Sequence, residues 1–305
     1  MIQRKKQHWF KMLFVWHGSV LPQLVPRLLL LLVLSILIVF VNGTLYHYKI
    51  PLSPAPFTIF GIALALFLGF RNNASYDRFW EGRKLWGALL NDTRSLARQA
   101  LTLTGYDSKG KEVAGFVDML IVFTYCLKHQ LRKTDPGEDI RERLPAELAD
   151  KLKDARFKPV ILMLEMGDWI KRAREKDLID PICQVAMDEN LNKLSDIVGG
   201  CERIVSTPIP YTYQVLLHRT VYLYCFLLPF GLVDSLGWIT PFITVFIAYT
   251  FVAFEAIADE LEDPFGTEPN DLPLNAMSRV IEITLLETVG KPVPDTALPD
   301  GYMLD

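Results

Sequence analysis

Four uncharged apolar runs, arranged as two close pairs, dominate the pattern of hydrophobic and polar positions along this chain. They are rich in Leu, Ile, Val and Phe, and only the last approaches the ~20 residues of a typical membrane-spanning helix. Short runs also form core helices of soluble proteins, but short spans are tolerated where helices pack in a bundle. We therefore interpret the runs as four spans: Leu28–Val41, Phe57–Phe70, Thr220–Val233 and Leu236–Phe254.

Lysine and arginine flank these runs unevenly. The connection at 42–56 contains only Lys49, and the connection at 234–235 contains neither residue type. Cytoplasmic loops of membrane proteins carry an excess of positive charge. We therefore expect a multi-pass protein of the inner (plasma) membrane with both termini and the middle region in the cytoplasm. The clustered positive residues are Arg4, Lys5, Lys6, Lys11 and Arg27 before the first run, and Arg71, Arg78, Arg83 and Lys84 after the second.

The middle of the chain also has helical periodicity. Between Phe79 and Ala100, mostly apolar residues recur at helical spacing. No long stretch alternates with the period of two that a strand requires. An apolar patch at 116–127 contains Asp118, and we expect a buried cytoplasmic helix there rather than a fifth span. The sequence therefore predicts an all-α fold. Its expected segments are an N-terminal interfacial helix with the first two spans (1–70), a cytoplasmic helical region (71–214), the last two spans (215–258) and a cytoplasmic C-terminal segment (259–305).

The second apolar run has two stripes of different character. Gly61, Ala65 and Gly69 recur every fourth residue, and small residues at this spacing let membrane helices approach closely. The larger residues Ile62, Leu66 and Phe70 form the neighbouring stripe, one position further round the helix. In a monomer this second stripe would face the core or lipid, whereas in a ring of identical subunits it would face the symmetry axis. Periodicity alone leaves both arrangements open.

Composition and motifs exclude several other functions. The chain is 50% hydrophobic and 22% charged with a net charge of −3, which gives no sign of nucleic-acid binding. Its 4 cysteines form no CxxC pair, and its 5 histidines form no HExxH motif. A phosphate-binding glycine loop and a nucleophile elbow are also absent, so we expect no enzyme. The apolar runs lack the charged residues typical of a carrier's coupled site.

Three strings next to the apolar runs are more specific. Arg71–Gly87 reads RNNASYDRFWEGRKLWG, Ile209–Tyr213 reads IPYTY, and Glu262–Gly266 reads EDPFG. Together they resemble the bestrophin family in its bacterial branch, with Asp263 in place of the family's Asn. The resemblance extends from about residue 20 to about residue 290.

This resemblance implies a homopentameric ion channel with a single axial pore lined by the second span. Ile62, Leu66 and Phe70 would then form the neck, a hydrophobic gate of three rings stacked over ~12 Å at ~1.5 Å rise per residue. Eukaryotic members often have aromatic residues at the second and third positions, so Leu66 would widen the middle ring. The segment Arg174–Asp180 resembles a cytoplasmic constriction, for which Ile179 is the candidate; the alternative is an apolar residue that caps a helix.

The same resemblance raises the question of whether the chain binds a metal ion. Eukaryotic bestrophins bind calcium through acidic residues after the EDPFG-like string, where this chain has only Glu268 and Asp271 as carboxylates. Calcium prefers six to eight oxygen ligands. We therefore expect that no cofactor is required and that any divalent metal binds weakly, with a solvated loop as the favoured alternative.

The conducted ion is the least determined property. By resemblance to bacterial members we expect monovalent ions, with cations such as sodium preferred. An anion (chloride) channel of the same architecture and a non-conducting membrane scaffold remain alternatives. The expected partners are further copies of the chain, membrane lipid and small ions, without nucleic acid.

Overall fold

The structure, a computed structural model, describes residues 1–2, 8–16, 18–45, 48–49, 52–295 and 304. The side chains of residues 45 and 48, and the predicted positive charges Arg4, Lys5 and Lys6, lie outside that description. Within it, the chain is helical apart from a hairpin of two short strands. The predicted all-α class is therefore confirmed, with this small hairpin as the one addition in the described part.

The elements follow each other with short connections. The N-terminal part contains α1 (Trp9–Met12), α2 (Leu21–Phe40), β1 (Thr44–Leu45), β2 (Tyr48–Lys49) and α3 (Pro54–Thr102). The middle contains α4 (Lys111–Arg132), α5 (Gly137–Arg143), α6 (Ala146–Lys153), α7 (Lys158–Glu175) and α8 (Pro181–Ser206). The last part contains α9 (Tyr211–Leu236), a 3-10 turn (Gly237–Ile239), α10 (Thr240–Glu262) and α11 (Leu274–Thr288).

The chain forms two compact units. The first, here called the apolar unit, comprises residues 4–79 and 208–263. The second, here called the charged unit, comprises residues 1–3, 80–207 and 264–305. Helix α3 contributes residues to both, because it continues for 49 residues without a proline after its first turn.

Helices of the apolar unit contain most residues of the four predicted apolar runs. Within the described residues, three helical stretches have the length and apolar composition to cross a membrane: Leu21–Phe40, Pro54–Thr102 and Tyr211–Glu262. The third stretch contains two helices, α9 and α10, which are separated by the 3-10 turn. Gly237 permits this change of direction with a φ of +52°, a region that residues with a Cβ rarely occupy.

Contacts between α9 and α10 show that these two helices run antiparallel. His218 meets Glu255 and Gln214 meets Asp259, so residue numbers fall along one helix as they rise along the other. Between them lies a buried apolar core shared with α2 and α3. Its buried residues include Leu24, Leu28, Leu64, Leu68, Val221, Cys225, Ala248 and Val252.

Helix α4 forms the centre of the charged unit. Phe116, Leu120 and Phe123 are fully buried there, and the Phe116 ring packs on Trp169 of α7 with centroids 4.5 Å apart. The apolar patch at 116–127 is thus a buried core helix, and the expectation that it is not a span agrees with this burial. Apolar side chains in protein interiors pack in this close fashion.

Candidate ion pathway

The neck residues lie on the outer face of α3. Ile62, Leu66 and Phe70 are 62%, 57% and 62% exposed, whereas Leu64 and Leu68 on the opposite side are 2% and 1% exposed. Helix α3 therefore packs one face into the core of the apolar unit and leaves the predicted neck stripe uncovered. Exposed apolar patches of this kind mark surfaces that meet lipid or another protein.

The neighbouring stripe of small residues is only partly packed within the subunit. A Cβ added at Gly61 would lie 2.9 Å from the Tyr224 hydroxyl oxygen, so this glycine allows α9 to approach closely. Ala65 and Gly69 are exposed, and a Cβ at Gly69 would meet nothing within 4 Å. The expected packing of the small stripe against an adjacent helix is thus found at Gly61, while Ala65 and Gly69 are exposed among the described residues.

Polar residues continue the neck face toward the end of the apolar unit. At 100° per residue, Asn73 and Asp77 lie on the same side of α3 as Leu66. Both side chains are exposed. The face of α3 therefore changes from three large apolar residues to an amide and a carboxylate within two further turns.

Arg71 joins the end of the neck to α10. Its side chain is fully buried, and its Nη2 donates to Asp259 Oδ1 and lies 3.5 Å from Glu262 Oε2. Asn72 Nδ2 donates to the Phe254 carbonyl at 3.1 Å, and Arg78 Nε donates to the Glu262 carbonyl at 2.9 Å. The polar string after Phe70 thus fastens α3 to α10. This contact set, here called the Arg71 clamp, comprises Arg71, Asn72, Arg78, Asp259 and Glu262.

The start of α9 attaches to the same place. Glu262 Oε1 accepts from the Ile209 amide at 3.0 Å, and Gln214 Nε2 donates to Asp259 Oδ1 at 3.1 Å. The Tyr213 hydroxyl donates to the Phe67 carbonyl at 3.1 Å, within the neck segment of α3. The IPYTY string and the acidic end of α10 therefore position α3 together. The sequence contained a signal for this cluster, since an arginine ends one apolar run and carboxylates end another.

Ile179 does not face solvent. Its side chain is 3% exposed and packs inside the charged unit. It lies immediately before the N-cap of α8, where Asp180 Oδ1 accepts from the amides of Ile182 at 2.8 Å and Cys183 at 3.0 Å. A residue lining an opening presents its side chain outward, which Ile179 does not do within this chain; the constriction at Ile179 stays a prediction. Ile182 in the first turn of α8 is 82% exposed.

The Asp180-Pro181 pair contained the signal for this difference. Aspartate favours the N-cap of a helix and proline favours its first position. Helix α8 begins at Pro181 with Asp180 as its N-cap, so Ile179 lies just outside the helix and Ile182 lies in its first turn. The burial of Ile179 therefore agrees with the alternative reading, an apolar residue next to a helix cap.

Comparisons with known proteins agree with this arrangement. The family model described as "Bacterial/Fungal Bestrophin protein" matches residues 1–287. This chain belongs to the bestrophin family. The predicted resemblance is confirmed, and it extends over nearly the whole chain.

Relatives of this bestrophin are named for a channel function. The "Voltage-dependent anion channel-forming protein RSc3414" of Ralstonia nicotianae is 50% identical over 306 residues, covering 100% of both chains. The "Voltage-dependent anion channel-forming protein YneE" of Escherichia coli K12 is 44% identical over 303 residues, covering 99% of both. A solved bacterial bestrophin homologue from Klebsiella pneumoniae has a TM-score of 0.84 at 44% identity, covering 88% of this chain and 99% of that one. The first two relatives are named channel-forming proteins and the third is a member of the same family, so the prediction that the chain is not an enzyme is confirmed.

The candidate metal residues of this bestrophin have different surroundings. Glu268 is exposed, whereas Asp271 is buried and its Oδ2 accepts from the Glu268 amide at 2.7 Å. Asp271 therefore closes the loop after Gly266. No group of three or more His, Cys, Asp or Glu side chains that could hold a metal ion occurs in the part of the chain that the structure describes.

The last three residues of the EDPFG string, Pro264–Gly266, belong to the charged unit, where Phe265 has a packing role. Phe265 is fully buried, and a Cβ added at Gly82 would lie 3.0 Å from its ring. Arg132 Nε donates to the Phe265 carbonyl at 3.2 Å. Phe265 thus fixes the chain beyond α10 by ring packing and by a carbonyl contact.

Proposed function

We propose that five copies of this bestrophin form an ion channel in the inner membrane, with both termini cytoplasmic and α3 lining an axial pore. The observation that carries the proposal is the exposure of Ile62, Leu66 and Phe70 on a helix whose opposite face is buried. The channel names of the relatives agree with it. The number of copies rests on the resemblance of the Arg71–Gly87 string.

Two further observations favour a pore over contact with lipid. Asn73 and Asp77 continue the neck face, and polar side chains suit a water-filled passage better than a lipid-facing surface. Ala65 and Gly69 lie beside the neck stripe and are uncovered in the isolated subunit. Small residues at such positions allow the helix of a neighbouring copy to approach closely.

The proposed gate is the collar of three apolar rings. Such a constriction blocks ions by shedding water, because an ion that enters it loses hydration without gaining a ligand. The Arg71 clamp fixes the position of the collar at its Phe70 end, since it fastens the residue after Phe70 to α10. We propose that a second narrowing, if the charged unit forms one, involves Ile182 instead of Ile179.

For the conducted ion we propose monovalent cations. Five copies of Asp77 would form an acidic ring two turns beyond Phe70, and acidic rings favour cations in channel vestibules. The second candidate is an anion channel, which the printed names of the relatives favour. A collar of uncharged side chains does not itself select the sign of an ion.

Reversal potentials test this proposal. We expect purified protein in planar bilayers to give stepwise currents whose reversal potential, under asymmetric NaCl, lies toward the sodium equilibrium potential. Asp77→Asn should reduce this preference, and Asp154→Asn, which alters an exposed carboxylate at the end of α6, should not. A reversal potential near the chloride equilibrium potential would contradict the cation proposal and identify an anion channel. If the assembled protein gives no currents, the channel proposal is wrong and the non-conducting scaffold is supported.

A further inference from the structure

A groove between α2 and α9 combines apolar walls with positive charge at one end. The cavity there measures about 770 Å³. Leu30, Leu223 and Phe226 line it and are 66%, 59% and 47% exposed. Arg27 and Arg219 line the same cavity. The groove lies entirely within the apolar unit.

Both arginines belong to the same end of the helix pair. Arg27 Nη1 near the start of α2 donates to the Tyr222 hydroxyl of α9 at 2.8 Å. Near the other ends of these helices, Ile38 and Val39 pack with Phe230 and Val233. The two helices therefore run parallel. From the arginines, the apolar part of the groove runs along the two helices, which is the direction in which they would cross the membrane.

The positive charge at this end is not paired with a carboxylate among the described residues. Neither Arg27 nor Arg219 forms an ion pair with any residue in the described part of the chain. The nearby carboxylate, Glu255, is 5% exposed, and its Oε1 lies 2.7 Å from His218 Nδ1. This carboxylate is thus turned toward the histidine. Tyr222 orients the Arg27 guanidinium without neutralising it, because a hydroxyl carries no charge.

We propose that the groove binds one anionic glycerophospholipid of the surrounding leaflet. Its phosphate would lie between Arg27 and Arg219, and an acyl chain would follow Leu30, Leu223 and Phe226. Guanidinium groups bind phosphate through paired hydrogen bonds, and basic pockets between membrane helices recognise anionic headgroups. This inference rests on insertion of the apolar unit in a membrane and not on ion conduction.

The order of groups along the groove favours a lipid over a second copy of the chain. A phospholipid has its charge at one end and its apolar chains along the membrane normal, which matches arginines at one end and leucine and phenylalanine beyond them. Two copies that met through this groove itself would bring four arginines together, and like charges at close range oppose such an interface. A neighbour in a ring of five would present a different surface to the groove, and the cross-link between copies described below tests that arrangement.

Native mass spectrometry of the purified assembly tests the proposal. Protein in detergent is given equal concentrations of phosphatidylglycerol and phosphatidylcholine of identical chain length. We expect up to one phosphatidylglycerol per subunit to be retained at collision energies that remove phosphatidylcholine. Addition of sodium phosphate should leave the bound lipid in place, because free phosphate lacks the chain that the groove accommodates. The same spectra report the number of subunits.

Charge variants assign the bound lipid to the groove. Arg219→Gln and Arg27→Gln should each weaken the preference for phosphatidylglycerol by about fivefold, since a basic residue near a membrane surface contributes about 1 kcal/mol to anionic binding. Arg219→Lys should retain most of the preference. Arg172→Gln, which removes an exposed arginine from α7, is the matched control and should bind as the wild type does.

Leu223→Trp provides a variant that leaves both arginines in place. We expect it to reduce lipid retention by filling the groove while the assembly remains intact. Equal retention of the two lipids by the wild type overturns the proposal. The proposal is also overturned if Arg27→Gln and Arg219→Gln bind phosphatidylglycerol as strongly as the wild type does, or if sodium phosphate displaces the lipid. A cross-link between copies through cysteines placed at Leu30 and Leu223 would overturn it as well. Loss of currents with normal lipid binding would leave this inference standing and contradict the channel proposal.

Discussion

Arg71→Ala is expected to lower the free energy of unfolding of the subunit by about 3 kcal/mol, which is typical when one partner of a buried ion pair is removed. The Arg71 side chain is fully buried, and it faces Asp259 and Glu262. Without it, the carboxylate of Glu262, which is 13% exposed, has lost its positive partner. Asp259 is half exposed and can be hydrated, so the effect lies at the lower end of the range.

The melting temperature of the detergent-solubilised protein measures this effect. Arg71→Lys keeps the charge but not the planar guanidinium with its paired donors, so we expect a melting temperature between those of the wild type and Arg71→Ala. Arg83→Ala changes an exposed arginine of the same helix and should leave the melting temperature unchanged. An Arg71→Ala protein as stable as the Arg83→Ala protein would show that the clamp does not hold α3 to α10.

Leu66→Ala is expected to raise the single-channel conductance or the open probability several-fold. The substitution widens the middle ring of the proposed collar and makes it less apolar, which lowers the barrier to wetting. Because Leu66 is 57% exposed in the subunit, its truncation leaves no cavity in the core. We therefore expect normal assembly and melting temperature, and single-channel recording in planar bilayers measures the effect.

Leu68→Ala is the matched comparison, since Leu68 lies two residues further along α3 but is 1% exposed. Its truncation removes core packing, and we expect destabilisation of about 2 to 5 kcal/mol without a specific change in conductance. Unchanged currents from well-assembled Leu66→Ala protein would mean that the stripe does not form the gate.

Much of the fold could be predicted from the apolar pattern. The runs at 57–70 and 220–233 lie within α3 and α9. The run at 28–41 ends one residue beyond α2, and the run at 236–254 begins at the last residue of α9 and continues through the 3-10 turn into α10. The helices extend well past those runs, because charged residues that follow an apolar segment without a breaker continue the same helix. Helix α3, for example, reaches Thr102. Hydropathy marks where a membrane core could lie, and turn and cap residues mark where a helix ends.

The site was less predictable, because it depends on contacts between distant parts of the chain. Periodicity placed Ile62, Leu66 and Phe70 on one face but could not decide whether the core covered that face. Likewise, the pairing of Arg71 with Asp259 joins residues 188 positions apart, which no local pattern specifies. At Ile179 a local signal was present, since the cap formed by Asp180 marks the start of α8 directly after it.

The central claim is that the Leu66 face of α3 lines the ion pathway, and its most direct test is chemical access to cysteines placed on α3. Cys183 is partly exposed and is first replaced by serine, whereas Cys126, Cys201 and Cys225 are buried. Burial raises the pKa of the Cys126 and Cys201 thiols to about 12, which keeps them protonated and unreactive.

The measurement compares Leu66→Cys with Phe67→Cys in this background. Phe67 is 49% exposed and lies about 100° further round the helix, so it has similar exposure but a different direction. A positively charged methanethiosulfonate reagent is applied during single-channel recording. The account predicts that it stepwise reduces the current through Leu66→Cys channels and leaves Phe67→Cys channels unchanged. Modification that alters current only at Phe67→Cys, or at neither position, would contradict it.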